Sequence, residues 1–175
     1  MKTLDAGQEF PRQQVARLGG DTLTLGAPAE GRDWQMIVVY RGLHCPICKS
    51  YLKKLEEVKG AFHEIGVDVV TVSGDPEEKA LAMAEETGSS VPMGYGLDIA
   101  QMRALGLFVS DPRSPEETDR PFPEPGLFVV NAEGRLQIVD ISNAPFARPD
   151  LGGLAKGLAF VREKGYPIRG THAAA

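Results

Sequence analysis

Cysteine is scarce in this chain. Its 175 residues contain only two, which excludes the disulfide scaffold of a small secreted domain. Positive charge is not in surplus either: 19 lysines and arginines face 24 acids, for a net charge of −5, and no basic cluster stands out. That balance argues against non-specific nucleic-acid binding. No apolar run approaches the length of a membrane span. The opening stretch, Met1 to Gln8, lacks the apolar core of a secretory signal, so the expected location is the cytoplasm. No internal repeat is visible. What is left is an ordinary globular composition, 42% hydrophobic and 25% charged, at a length suited to one domain with a full core, and a single domain over residues 1–175 is expected.

Both cysteines are spent on one motif, Cys45-Pro46-Ile47-Cys48. The apolar run Met36 to Tyr40 upstream reads as a buried strand, and the turn Arg41-Gly42-Leu43-His44 follows it. Downstream, Leu52, Leu55, Val58, Ala61, Phe62 and Ile65 recur at helical spacing. A helix of about five turns therefore starts at or beside Cys45. A C-x-x-C placed between a strand and a helix reads as a redox dithiol.

The physical reason lies in the thiolate, which is the reacting species and is stabilised by the free N–H groups and positive dipole end of a helix N-terminus. Pro46 suits the first helical turn, where its missing N–H breaks no bond. Cys45 and Cys48 fall on one face of that turn, close enough to bridge. Cys45 is expected at the exposed end as the attacking nucleophile, with Cys48 one turn further in as the resolving thiol. Arg41 and His44 could add positive charge and lower the pKa of Cys45. Two blander readings compete. A structural zinc site would need two more ligands, and His44, His63 and His172 offer no second C-x-x-C or H-x-x-x-H pattern. Two free cysteines could also be inert core packing.

Along the rest of the chain, Gln14 to Leu18 and Thr22 to Leu25 read as an N-terminal β-hairpin, with Gly66 closing the long helix. Val67 to Val72 reads as a central strand. Ser73-Gly74-Asp75-Pro76-Glu77 reads as a helix start, its acids facing the dipole; that helix runs to about Thr87, and Gly88 ends it. A short strand at Val91 to Tyr95 and a short helix capped by Asp98 and ending near Gly106 come next. Ser110 to Pro125 is rich in proline and acids and reads as a surface loop, either a tolerated insertion or a cover for the active site. Gly126 to Val130 and Leu136 to Ile141 read as a hairpin, and a terminal helix follows Pro149. Thr171 to Ala175 reads as a frayed end. Strands alternating with helices give an α/β sandwich with a mixed central β-sheet flanked by helices and an N-terminal β-hairpin extension.

The order of these pieces resembles the thioredoxin fold as peroxiredoxins elaborate it. Tyr40-Arg41-Gly42-Leu43-His44-Cys45-Pro46-Ile47-Cys48 is similar to the R-G-x-x-C-P-x-C signature of peroxiredoxin-like proteins in the alkyl hydroperoxide reductase and thiol-specific antioxidant (AhpC/TSA) superfamily. Ser73-Gly74-Asp75-Pro76-Glu77-Glu78 and Gly126 to Asn131 with Glu133-Gly134 extend the resemblance, which covers about Ala6 to Lys164. It implies a thioredoxin-like domain and a cytoplasmic thiol-disulfide oxidoreductase and antioxidant, with no metal, flavin or nucleotide required. Cys45 would attack a disulfide or a hydroperoxide, Cys48 would resolve the product into a Cys45–Cys48 disulfide, and a thioredoxin- or glutathione-type reductant would restore the dithiol. A homodimer is compatible with this reading. Two alternatives are a thiol peroxidase acting mainly on hydroperoxides and a non-enzymatic redox-sensing module that binds a partner.

Two departures from the family matter. Peroxiredoxins carry a P-x-x-x-T-x-x-C loop and an arginine from the late hairpin, whereas this chain has Gly42 three residues before Cys45 and Pro125 before Gly126. Thioredoxins place a cis-proline at the latter position. Pro125 is accordingly expected to be cis and in van der Waals contact with Cys45 or Cys48, favouring disulfide exchange, with Arg41 partly replacing the missing arginine.

Overall fold

Two largely apolar strands form the centre of the sheet, β3 (Trp34–Val39) and β4 (Val67–Val72), with Gln35, Asp68 and Thr71 as their polar residues. They run parallel in register from Trp34 opposite Val67 to Val39 opposite Val72. Every residue of β4 and all but Trp34 of β3 are buried, as a strand covered on both faces requires. The computed structural model describes residues 3–172. Around this pair the remaining strands are β1 (Gln13–Arg17), β2 (Thr22–Leu25), β5 (Met93–Tyr95), β6 (Val109–Ser110), β7 (Phe122–Pro123), β8 (Gly126–Val130) and β9 (Leu136–Ile141). The helices are α1 (Pro46–Glu64), α2 (Glu77–Thr87), α3 (Ile99–Ala104) and α4 (Leu151–Lys164).

Seven strands form one mixed sheet in the order β2-β1-β5-β4-β3-β8-β9, and β6 and β7 pair separately. The N-terminal hairpin is therefore part of the central sheet: β1 pairs antiparallel with β5 through Ala16 opposite Tyr95. Strand alternation sends Met36, Val38, Val67 and Val69 to one face, where Leu52, Leu55 and Phe62 of α1, Met83 of α2 and Leu158 of α4 cover them. Ile37, Val39, Val70 and Val72 go to the other face, under Met102 of α3 and the N-terminal Phe10.

Helix ends follow their local chemistry. Asp98 caps α3 in a reciprocal capping box with Gln101, and Asp150 caps α4 through the N–H of Gly153 at 2.7 Å. Gly66 and Gly88 follow α1 and α2 with φ of 78° and 66°, a backbone that glycine adopts freely. Pro76 stands at the cap position before α2, one residue ahead of the first turn. Of the chain end expected to fray, Thr171 and His172 belong to no helix or strand, and residues 173–175 lie outside the described residues. Among the described residues no helix is long and apolar enough to cross a membrane.

Candidate active site

The end of β3 delivers a tight turn that is pinned from the neighbouring strand. Asp75, just past β4, accepts the N–H of Leu43 at 2.8 Å, and the C=O of Gly42 accepts the N–H of Cys45 at 3.2 Å. Asp75 is thus turned inward and buried rather than facing the dipole of α2, and burial raises its carboxyl pKa above the usual range. Gly42 has φ of 151°, and a Cβ there would stand 2.9 Å from Asp75 Oδ1 and 3.0 Å from His44 Nδ1. No threonine fits at that position. Gly42→Ala should cost about 1–3 kcal/mol of stability, measured by chemical denaturation; wild-type stability would show that the turn has room after all.

The turn places Cys45 at the cap of α1 in extended backbone, with Pro46 as the first helical residue. The Cys45 sulfur accepts the N–H of Cys48 at 3.2 Å, and the first turn of α1 carries no acid to oppose a negative charge. Both cysteines are free thiols. Cys45 is only 2% exposed, against the expectation of an exposed end, and Cys48 is fully buried beneath it. The hydrogen bond from the Cys48 thiol lowers the pKa of Cys45 most, and the Cys48 backbone N–H and Arg41 lower it further, to about 6 against the opposing effect of burial. The same hydrogen bond, together with burial, pushes Cys48 upward.

Arg41 is not a loose surface charge. It forms ion pairs with Glu124 at 3.1 Å and Glu117 at 3.8 Å and lies over the Phe122 ring at 4.7 Å. Its Nε is not aligned for a hydrogen bond, so the Glu124 contact is coulombic. His44 packs on Phe122 at 4.6 Å, and neither ring nitrogen has a partner. Burial and then the charge of Arg41 lower its pKa, so His44 stays neutral near pH 7 and does not supply the positive charge expected of it. The proline-rich segment lies across these residues. Glu117, Phe122 and Glu124 meet Arg41, and Asp119 binds Lys79 of α2 at 2.8 Å. It therefore covers the turn before Cys45.

Pro125 departs from the expectation. No peptide bond among the described residues is cis, so Glu124–Pro125 is trans. Its neighbours' hydrogen bonds explain this. The N–H of Glu124 donates to Phe108 at 2.8 Å, and the C=O of Pro125 accepts from Ser142 at 3.0 Å, so the backbone continues from the β6–β7 pair into β8 without reversing. Pro125 lines a small cavity with Val38, Tyr51, Leu127 and Arg148, and no cysteine belongs to that lining.

One residue at the site had no sequence signal. Arg148, between β9 and α4, donates from Nη2 to the Cys48 sulfur at 2.9 Å. It lies 100 residues beyond Cys48, in no motif, and is brought there because α4 packs on α1 and the Tyr51 hydroxyl donates to the C=O of Pro149 just before α4.

The AhpC/TSA family model matches residues 6–139. The chain belongs to the AhpC/TSA family. With that membership it is a thiol-dependent oxidoreductase. No curated protein matches the sequence. Solved structures agree on the fold at low identity. A peroxiredoxin-like protein from Aquifex aeolicus is 18% identical with a TM-score of 0.75, over 92% of this chain and 90% of that one. The reduced 2-Cys peroxiredoxin of Plasmodium vivax is 14% identical with a TM-score of 0.74, over 93% and 85%. AhpC of Mycobacterium tuberculosis is 14% identical with a TM-score of 0.73, over 95% and 97%. Within this AhpC/TSA chain the threonine position holds Gly42, for the steric reason given above, and cationic groups lie near both sulfurs, Arg41 by Cys45 and Arg148 by Cys48.

Proposed function

We propose that the protein reduces hydroperoxides, with Cys45 as nucleophile and Cys48 as resolving thiol. The observation that carries this reading is Cys45 at the cap of α1, its pKa lowered to about 6, with the Cys48 N–H on its sulfur. The Cys45 thiolate attacks one peroxide oxygen, an S–O bond forms and the O–O bond breaks. The departing alkoxide, or hydroxide from hydrogen peroxide, takes a proton and leaves as alcohol or water. Cys45 is left as a sulfenic acid, oxidised by two electrons. Cys48 then converts it to the Cys45–Cys48 disulfide, and an external dithiol of thioredoxin or glutathione type reduces that bond by exchange. Arg41 supports the thiolate with charge that Glu124 and Glu117 partly offset.

Two features favour a peroxide over a protein disulfide as oxidant. A cysteine only 2% exposed admits a small molecule far more readily than a folded partner's disulfide. The backbone N–H of Glu124, which strand-wise pairing with a substrate would use, is already bonded to Phe108. The test is to mix the reduced protein separately with hydrogen peroxide, an organic hydroperoxide and a protein disulfide, and to follow the loss of thiols. Faster oxidation by either hydroperoxide is expected. Faster oxidation by the protein disulfide would replace this reading with disulfide exchange, and slow oxidation by all three would favour a redox-sensing module.

A further inference from the structure

We infer that Arg148 is a catalytic residue of the second chemical step, holding Cys48 as the thiolate that closes the disulfide. This inference rests on the proposed roles of Cys45 and Cys48. Arg148 is fixed on three sides. Nη2 donates to Cys48 Sγ at 2.9 Å, Nη1 donates to the C=O of Pro145, and the guanidinium lies 5.0 Å from the centre of the Tyr51 ring. Tyr51 is itself held, donating from its hydroxyl to the C=O of Pro149 at 2.7 Å. Nε of Arg148 is buried with no hydrogen-bond partner, and among the described residues no carboxylate forms an ion pair with the guanidinium. A half-buried cation aimed at a buried sulfur favours that sulfur's anion.

The arrangement also sets an order of events. In the reduced protein the hydrogen bond to Cys45 and the charge of Cys45 both act to keep the proton on Cys48, together with burial, while Arg148 acts against them. Once Cys45 has become a sulfenic acid its negative charge is gone. Two of the influences holding the Cys48 proton fall away, and Arg148 remains. Cys48 then loses its proton, its electron pair forms the S–S bond, and the S–O bond of Cys45 breaks. The hydroxide that leaves takes up a proton as water. Cys48 is oxidised and the sulfenic sulfur of Cys45 is reduced. The other titratable or charged groups around this step are Tyr40 and Arg41 just past β3, Asp75 just past β4, Tyr51 on α1, Asp140 on β9 and Asp150 before α4.

The experiment is a single turnover. Reduced wild type, Arg148→Met and Arg148→Lys receive one equivalent of hydrogen peroxide at a series of pH values. Samples are quenched with a sulfenic-acid trap and a thiol alkylator, and Cys45 and Cys48 are read by mass spectrometry. In Arg148→Met the sulfenic acid should accumulate, with disulfide formation slowed about tenfold and its pH midpoint moved upward by about one unit, because a tenfold loss of thiolate corresponds to one pKa unit. The first step should slow by less than about threefold on the same reasoning, since Arg148 does not contact Cys45. Arg148→Lys, which keeps the charge and loses the fork, should lie between wild type and Arg148→Met. Disulfide formation at the wild-type rate and pH midpoint in Arg148→Met would overturn the inference, as would both steps slowing in parallel with lysine no better than methionine. If Cys45 of the wild type forms no sulfenic acid, the proposed function itself fails, a result distinct from a normal first step followed by normal resolution in Arg148→Met.

Discussion

Replacing Cys45 by serine should remove hydroperoxide turnover down to the uncatalysed rate, a loss of at least about a thousandfold, the scale seen when a covalent nucleophile is deleted. Serine matches the shape of cysteine, and Cys45 Sγ acts as an acceptor, from the Cys48 N–H at 3.2 Å and from the Cys48 thiol, a role the serine hydroxyl can take over. The variant should therefore fold with α1 capped, and the loss can be assigned to chemistry. Cys48→Ser should behave differently. Its first equivalent of hydroperoxide is consumed, and the cycle then stops with Cys45 as sulfenic acid, open to further oxidation to the sulfinic level. Peroxide consumption under a thioredoxin-type reductant, with stopped-flow measurement of the first turnover, separates the two. Equal residual turnover in both variants would contradict the division of roles, and appreciable turnover in Cys45→Ser would remove Cys45 from the chemistry.

The second large effect is in pH. With its pKa lowered from 9.0 to about 6, Cys45 should react with iodoacetamide along a curve half-complete near pH 6, so that it is mostly thiolate at neutral pH. Cys48→Ala removes the leading cause of the depression, the hydrogen bond from the Cys48 thiol. The midpoint in that variant should move upward, toward the ordinary thiol range. The same shift enters stability with a definite sign. Folded Cys45 releases its proton at lower pH than the unfolded chain, so its contribution is complete above the unfolded pKa of 9.0 and is lost as pH falls through about 6. Within that window stability should rise with pH. Cys48, whose pKa is raised in the folded state, contributes with the opposite sign above the ordinary thiol pKa. A wild-type alkylation curve centred near an ordinary thiol, or no upward movement in Cys48→Ala, would contradict this account of the helix cap.

Most of the fold could be read from the chain because its local signals agree with its tertiary contacts. The apolar runs of β3 and β4, the spacing of Leu52, Leu55 and Phe62 on α1, and Asp98 before α3 each point to the element that forms. The dithiol was legible for the same reason, because a motif between a strand and a helix carries its own context. What could not be read depends on groups far apart in sequence. Asp75 looked like an acid serving the dipole of α2, but its partner is the N–H of Leu43, 32 residues earlier. Arg148 sits in an unremarkable connection, and its target is 100 residues away. His44 beside Cys45 suggested a nearby positive charge, but burial and Arg41 keep it neutral. Pro125 followed from analogy with thioredoxin alone, and the hydrogen bonds of Glu124 to Phe108 and of Ser142 to Pro125 hold that stretch in a trans path. For Asp75, Arg148 and Pro125 a partner distant in sequence outweighed the local signal, and for His44 burial did.

The central claim is that Cys45 is oxidised first and Cys48 closes on it, and the most direct measurement is the covalent state of both sulfurs after one equivalent of hydrogen peroxide. The reduced protein is oxidised, quenched with an alkylating agent, and analysed by intact mass and peptide mapping. The account predicts a loss of two hydrogen atoms and a peptide containing a Cys45–Cys48 disulfide, with neither thiol left to alkylate. Oxygen retained on Cys45 while Cys48 remains alkylatable, or two free thiols beside unconsumed peroxide, would contradict it.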